Sequence, residues 1–392
     1  MKGDNLVSVD VDTTSDVALW WPNGMGAQKM YNVTASFVAS GEVQAAAPVE
    51  ASRRIGFRFV ALVTGNDTDA SYVAASKGKQ GTDHMGMIFR VNGAAIFARG
   101  ANMIPMEELE GRLSADAHRY LVQSAAHAKF NMLRVWGGGM FLPDAFYDAC
   151  DEFGILIYHD MQYAQEGHSP AVGGAQEPEL RYQIRRLSSH PSIAVWDGCN
   201  ECQVLLNTST GIYASFVMSV VAEEDASHAI WPSCPARGWE GGVDKLTARP
   251  VAGDRSPGSL PSPLVPHQLK ERTLETHGPY QHGNGFPATN GGNSIRPQEC
   301  KSRIPVQIKQ SETGMTQLNI FASEFGCIGM SSFESMSPLL KPEHWGLHAG
   351  VVGDNCSNTW DRECHGDNPM SLRNYPVRTK AICCFVLDLS WI

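Results

Sequence analysis

The sequence lacks the features that mark membrane proteins, nucleic-acid-binding proteins and disulfide scaffolds. No stretch reaches the ~18 to 20 consecutive apolar residues of a transmembrane helix. Lysine and arginine (31) are outnumbered by aspartate and glutamate (41), and no basic run occurs, which argues against binding to nucleic-acid phosphates. Ten cysteines among 392 residues are too few for a disulfide framework. We therefore expect a globular chain with no membrane span and no nucleic-acid partner.

Signals for targeting and for metal binding are also sparse. No apolar segment follows the first residues, Met1–Asn5, so no signal peptide is predicted. Four N-x-S/T sequons mildly favour a secretory route. They lie at Asn32, Asn66, Asn207 and Asn355. The C-x-x-C pair of Cys199 and Cys202 has no second pair at zinc spacing, so we expect neither a metal nor a cofactor.

The amino-terminal region has the alternating pattern of β-strands. Apolar and polar residues alternate at Val7–Val11, Tyr31–Val38 and Arg54–Val60. Because three or four strands are too few for a closed sandwich, residues 1–65 are expected either to form a partial β-domain or to pair with strands that lie upstream of Met1. The polar segment 66–86, rich in glycine, aspartate and lysine, is predicted to be a linker or a loop.

Residues 87–392 alternate between strands and helices. The candidate strands are Ile96–Ala101, Asn131–Trp136, Ile155–Asp160, Ser192–Asp197, Ala229–Pro232, Leu274–His277 and Leu318–Glu324. Near-continuous apolar strands separated by helices indicate a parallel sheet covered on both faces. Seven candidate strands without a GxGxxG or P-loop motif favour a (β/α)8 TIM barrel, an α/β fold, over a doubly wound sheet. The eighth strand is not evident, and residues 235–270 are predicted to be an inserted loop.

In such a barrel the functional side chains gather at the carboxyl ends of the strands. Two acids stand there, where an unpaired charge is costly: Glu201 follows one apolar strand and Glu324 ends another. Two opposed carboxyls about 5–5.5 Å apart suit a retaining glycosidase. The alternative is that each acid caps a helix or pairs with an arginine.

The strings around these acids resemble glycoside hydrolase family 2, and within it the β-mannosidases. They are Trp20–Gly24, Arg54–Arg58, Phe89–Gly93, Arg99–Asn102, Leu133–Gly139, Phe146–Gly154, His190–Ile193, Asn200-Glu201 and Ser323–Gly326. The resemblance covers roughly residues 17–370. It implies that residues 1–65 are a partial immunoglobulin-like sandwich and that residues 87–392 are the catalytic barrel.

The resemblance also implies roles for individual residues. Glu201 is expected to be the general acid/base and Glu324 the nucleophile. Asn200 is expected to bind the sugar 2-hydroxyl, Trp136 to stack on the sugar face, and Tyr280 to orient the nucleophile.

Two further residues complete the predicted site. Arg134, at a strand end, is expected to keep Glu324 ionised. Asp160, beside His159, matches a polar–acid pair that shapes the pocket floor. Structural alternatives stay open, since Arg134 would equally serve an ion pair and Trp136 the core.

These inferences predict a retaining exo-glycosidase that removes terminal β-D-mannose from oligosaccharides or glycoprotein glycans, without a cofactor. Alternatives are a family 2 β-galactosidase, β-glucuronidase or endo-β-mannosidase, or a catalytically weak carbohydrate-binding fragment. The last is kept because the family's first sandwich domain and eighth strand have no counterpart in this sequence. For the same reason we expect the chain alone to be a poor enzyme. The family favours a lysosomal or secreted location, and the sequence predicts no oligomeric state.

Overall fold

The computed structural model describes residues 9–13, 16–38, 48–63, 70–71, 74, 79–80, 87–107, 109–164, 174–201, 213–225, 227–231, 233–234, 243–244, 249–250, 275–281, 321–327, 334 and 337–338. The chain divides into two compact units. The first is Met1–Glu275 with Gln317–Ser323, and the second is Thr276–Thr316 with Glu324–Ile392. Among the described helices, none combines the length and the apolar character needed to cross a membrane.

Small antiparallel sheets form the amino-terminal part. The strands are β1 (Tyr31–Phe37), β2 (Val49–Ile55), β3 (Val60–Val63), β4 (Lys79–Gln80), β5 (Ile88–Val91) and β6 (Ala94–Ile96). β1 pairs with β2, and β5 lies between β3 and β6. Because β3 falls in the predicted β-domain and β5 in the predicted barrel, hydrogen bonds join these two regions across the predicted linker.

The strand predicted at Val7–Val11 is wrong in its described part. Residues 9–13 have no regular secondary structure. Val9 and Val11 are 77% and 78% exposed. Alternation favours a strand only where one face of the segment is buried, and here neither valine is.

A five-stranded parallel sheet dominates the first unit. Its strands are β7 (Gly100–Met103), β8 (Met132–Val135), β9 (Leu156–Asp160), β10 (Ile193–Asp197) and β11 (Ala229–Trp231). Each strand lies beside the strand that precedes it in the chain. This arrangement confirms the α/β class, while closure into a barrel stays a prediction.

Helices connect these strands. They are α1 (Ala115–His127), α2 (Asp144–Phe153), α3 (Gln176–Leu187) and α4 (Ser219–Glu224), with a 3₁₀ turn at Glu110–Arg112 and a π-helical turn at Tyr213–Met218. Ser114 caps α1, because its Oγ accepts a hydrogen bond from the Ala117 N–H at 3.1 Å. Gly154 ends α2 at a φ of 73°, a conformation that favours glycine.

Alternate residues of the parallel strands belong to two hydrophobic clusters. Leu133, Ile157 and Trp196 belong to the cluster that includes the helices. Leu156 and Tyr158 belong to a second cluster on the other face of the sheet, together with residues of β5 and β6. The sheet is therefore buried on both faces, as its near-continuous apolar strands predict.

The remaining described strands are short or lie late in the chain. They are β12 (Val243–Asp244), β13 (Arg249–Pro250), β14 (Glu275–Gln281) and β15 (Phe321–Cys327). β12 lies between β13 and β4, whereas β14 pairs with β15. Most of the predicted loop 235–270, and the carboxyl-terminal tail in which the eighth strand is not evident, lie outside the described residues.

Candidate active site

A buried ion pair lies at the carboxyl ends of β8 and β9. Arg134 donates through Nε and Nη2 to the two carboxylate oxygens of Asp160, at 3.0 and 2.6 Å. Burial alone would lower the pKa of Arg134, but the adjacent Asp160 carboxylate raises it well above its usual value. Arg134 is therefore a permanent cation inside the first unit.

The same guanidinium contacts the amide predicted to bind the sugar. Arg134 Nη2 donates to Asn200 Oδ1 at 2.7 Å, and Asn200 is buried. This bond fixes which way the Asn200 amide points, because a cationic donor requires the oxygen and not the NH2 group. The structure thus joins three predicted site residues: Arg134, Asp160 and Asn200.

Glu201 follows in a turn that neighbouring segments hold through its backbone. Four consecutive amides donate hydrogen bonds: Gly198 to the Trp231 carbonyl (2.8 Å), Cys199 to Asp197 Oδ1 (3.0 Å), Asn200 to the Tyr163 carbonyl (3.0 Å) and Glu201 to the Cys234 carbonyl (2.7 Å). Glu201 itself has a φ of 53°. A non-glycine residue in this left-handed region is strained, and such strain is concentrated at functional sites.

Glycines let the loop after β8 approach this turn. The Gly137 N–H donates to Asp160 Oδ2 at 3.0 Å. A Cβ on Gly137 would lie 2.3 Å from the Tyr163 carbonyl oxygen, so only glycine fits without movement. Trp136, which precedes it, is partly exposed, as a residue that stacks on a ligand must be.

Asp197 is a buried acid that is not among the site residues predicted from the sequence. It ends β10, and its Oδ2 accepts a hydrogen bond from the Tyr158 hydroxyl at 2.5 Å. Its Oδ1 accepts from the Cys199 amide. The available signal was its position, since an acid at the carboxyl end of an apolar strand was the criterion that selected Glu201 and Glu324.

His159 belongs to the opposite face of the sheet. Its Nδ1 lies 2.7 Å from the Asp160 carbonyl, so Nδ1 carries the proton and Nε2 accepts from the Tyr147 hydroxyl at 2.8 Å. Burial lowers the pKa of His159 to about 4. The neutral ring therefore links β9 to α2 and does not act as a cation at the site.

Glu324 and Tyr280 belong to the second unit. Glu324 lies in β15 and is partly buried, next to the buried Ser323. Tyr280 lies in β14. Their roles as nucleophile and as the group that orients it stay predictions.

One three-residue group within the described part of the chain has metal-ligand chemistry. Candidate ligand atoms of Asp148, Asp151 and His190 lie within 4.8 Å of one another. However, His190 Nδ1 hydrogen-bonds Asp151 Oδ2 at 2.7 Å, and the Ser192 amide donates to Asp151 Oδ1 at 3.1 Å. These bonds tie α2 to the start of β10, the end of the strand away from Glu201, so they account for the group as a structural contact.

The comparisons with known proteins agree with the resemblance noted in the sequence. The chain is 32% identical to the β-mannosidase of Mus musculus over 253 residues, which are 59% of this chain and 27% of the relative. It is 32% identical to β-mannosidase B of Aspergillus clavatus over 277 residues, 64% of this chain and 30% of the relative. No protein-family profile matches the chain. The chain is thus β-mannosidase-like, and it spans less than a third of the length of these relatives.

A solved structure supports the fold. The exo-chitosanase of Amycolatopsis orientalis matches with a TM-score of 0.52 and 18% identity, over 85% of this chain and 31% of that protein. At this level of identity the match supports the architecture alone.

Proposed function

We propose that the chain acts as a retaining exo-glycosidase on terminal β-D-mannose of oligosaccharides or glycoprotein glycans. The supporting observation is the strained Asn200-Glu201 turn, which is fixed beside the buried Arg134–Asp160 pair at the carboxyl ends of parallel strands. The similarity to β-mannosidases supports the choice of sugar. We infer further that the sheet continues into a (β/α)8 barrel, because consecutive strand order is the barrel arrangement and lacks the switch point of doubly wound sheets.

The proposed reaction is a double displacement by two carboxyls. Glu324 attacks the anomeric carbon while Glu201 protonates the leaving oxygen, and a glycosyl–enzyme ester forms. Glu201 then removes a proton from water, which attacks the anomeric carbon and releases both the sugar and the Glu324 carboxylate. This mechanism requires carboxyl groups about 5–5.5 Å apart, and it requires no metal.

The other site residues bind and orient in this proposal. Asn200, fixed by Arg134, presents its amide to the sugar 2-hydroxyl, where a hydrogen bond strengthens in the transition state. Trp136 stacks on the apolar face of the sugar, and Tyr280 orients Glu324. Asp160 acts at the pocket floor by fixing Arg134.

The test is hydrolysis of a panel of aryl β-glycosides: mannoside, galactoside, glucuronide and glucosaminide. The wild-type chain is expected to hydrolyse the mannoside fastest, and NMR should show the β-anomer as the first product. Glu324→Ala should abolish hydrolysis, whereas Glu334→Ala, at an exposed glutamate ten residues later, should not. A folded chain that hydrolyses none of the four but is retained on a mannan column would contradict the enzymatic proposal and favour a binding role.

A further inference from the structure

We infer that Asp197, together with Tyr158, is a positioning residue for the general acid/base Glu201. The inference rests on the proposed function, because it gives Asp197 a role in the protonation step assigned to Glu201. Asp197 does not contact the reacting atoms in this proposal. It acts by fixing the turn of residues 198–201.

The first support is the way in which that turn is held. Of its four consecutive amides, those of Gly198, Asn200 and Glu201 donate to backbone carbonyls of neighbouring segments. The Cys199 amide instead donates to a side chain, Asp197 Oδ1. Three of these four bonds survive any side-chain substitution, and the fourth depends on the carboxylate of Asp197.

The second support is the use of the other carboxylate oxygen. Tyr158 donates its hydroxyl to Asp197 Oδ2, so the carboxylate bridges the turn and the neighbouring strand β9. The Tyr158 ring is itself fixed, since it stacks on Phe321 at 5.9 Å and lies 5.8 Å from the Arg134 guanidinium. Asp197 is therefore oriented by a rigid partner rather than by solvent.

The third support is electrostatic. Asp197 and Asp160 are register partners on adjacent parallel strands, and both are fully buried. Two buried carboxylates side by side are tolerated only near a compensating cation, and the charge of Asp197 is one of the causes that raise the pKa of Arg134. The same cation binds Asn200, so Asp197 and the residues before Glu201 share one network.

The hydrogen bonds of this network stabilise the strained backbone of Glu201. A non-glycine residue at positive φ persists only where its surroundings overdetermine the backbone. Removing the Asp197 carboxylate leaves a buried N–H and a buried hydroxyl without this acceptor, and the turn then relaxes. A shift of the Glu201 carboxyl by about 1 Å would lower the rate of a protonation-dependent step by ~100-fold.

The test compares substrates that need protonation with substrates that do not. Phenyl β-mannoside has a poor leaving group that needs protonation. The leaving group of 2,4-dinitrophenyl β-mannoside, 2,4-dinitrophenolate, departs without protonation. With Asp197→Ala, kcat/KM for the phenyl substrate should fall ~100-fold, but for the dinitrophenyl substrate less than about threefold. Asp197→Asn keeps one acceptor, so its kcat/KM for the phenyl substrate should fall only about threefold. Tyr158→Phe should lower kcat/KM for the phenyl substrate about tenfold and should also spare the dinitrophenyl substrate.

Asp225 provides a matched control at the opposite end of the sheet. It is a buried aspartate that accepts from the amide two residues later, Ser227, at 2.9 Å, as Asp197 does from Cys199. Asp225→Ala should lower the melting temperature but change kcat/KM of the folded protein for both substrates by the same factor. Equal losses on both substrates with Asp197→Ala and Tyr158→Phe would overturn the inference.

A second measurement separates this inference from the proposed function. Hydrogen exchange of the full chain should be faster at residues 198–201 in Asp197→Ala than in wild type, and unchanged in Asp225→Ala. Unchanged exchange in Asp197→Ala would contradict the positioning role whether or not the chain is active. A wild-type chain that hydrolyses neither aryl mannoside contradicts the proposed function instead.

Discussion

Arg134 donates two parallel hydrogen bonds to the Asp160 carboxylate, and the two side chains are 3% and 0% exposed. A planar guanidinium matches a carboxylate in this way, which an ammonium group does not. The pair also fixes Asn200 and contacts the loop after β8 through the Gly137 amide. The positions of the Asn200 side chain and of the loop after β8 therefore depend on this one ion pair.

Removing the cation should be costly. We expect Arg134→Met to lower the free energy of unfolding by about 3–5 kcal/mol, because it leaves the Asp160 carboxylate buried without its partner. Urea unfolding monitored by circular dichroism measures the change. Arg185→Met is the control, because Arg185 is largely exposed and its partner Glu224 keeps a second ion pair with Arg181. Its loss should be less than about 1 kcal/mol. Equal losses for the two variants would show that the buried Arg134–Asp160 pair contributes no more to stability than the Arg185–Glu224 pair.

The two carboxyls of the proposed mechanism should respond differently to substitution. Glu324→Gln is expected to abolish turnover of every substrate, since the nucleophile cannot be bypassed. Glu201→Gln should spare activated aryl mannosides, which need little protonation. Steady-state kinetics on both substrate classes tests this, and azide should accelerate turnover by Glu201→Ala. Equal losses on activated substrates would argue against the assignment.

Stability should fall on acidification because His159 is buried as a neutral ring. Its pKa is about 4 in the folded chain, against 6.5 for an ordinary histidine. In the unfolded chain His159 therefore binds a proton below about pH 6.5, whereas in the folded chain it does so only below about pH 4. The neutral ring therefore contributes about 3 kcal/mol to the free energy of unfolding above pH 6.5. This contribution is lost as the pH falls to 4.

Urea unfolding at pH 7 and pH 4 measures this loss. His159→Gln, which keeps one donor and one acceptor, should lose about 3 kcal/mol less than wild type over the interval. His127→Gln is the control, since His127 is exposed in the last turn of α1. An identical pH dependence in wild type and His159→Gln would be evidence against this account.

The loop after β8 should not tolerate a side chain at its first glycine. A Cβ at Gly137 meets the Tyr163 carbonyl at 2.3 Å, so Gly137→Ala is expected to destabilise the chain by about 2 kcal/mol and to lower activity. Gly111, which has nothing within 4 Å of its Cβ position, is the control. Gly111→Ala should be neutral or slightly stabilising. Thermal melting of both variants gives the comparison.

The sequence predicts those features that depend on local chemistry. Ser114 caps a helix through its own hydroxyl, and Gly154 supplies a left-handed residue, so both helix ends follow from nearby residues. The parallel strands are equally predictable, because burial on both faces leaves a continuous apolar run. The same reasoning selects Asn200 and Glu201, which follow such a run.

Features that depend on register between strands are not predictable in this way. The sequence places a cation at Arg134 and an acid at Asp160, but only the alignment of β8 with β9 brings them into contact. Likewise, Asp197 acquires its role from the Tyr158 hydroxyl, which lies 39 residues earlier in the chain. A single sequence states which groups are present, and the pairing of strands decides which groups meet.

The consecutive strand order of the parallel sheet bears on how the chain reaches its native state. Because β8, β9, β10 and β11 each add to the strand made just before them, no strand of this sheet must wait for a distant partner. Each addition closes a loop of one connecting segment, whose entropic cost grows only slowly with length. The sheet can thus assemble vectorially while the ribosome is still extending the chain, and both partners of the Arg134–Asp160 contact are present as soon as β9 has emerged.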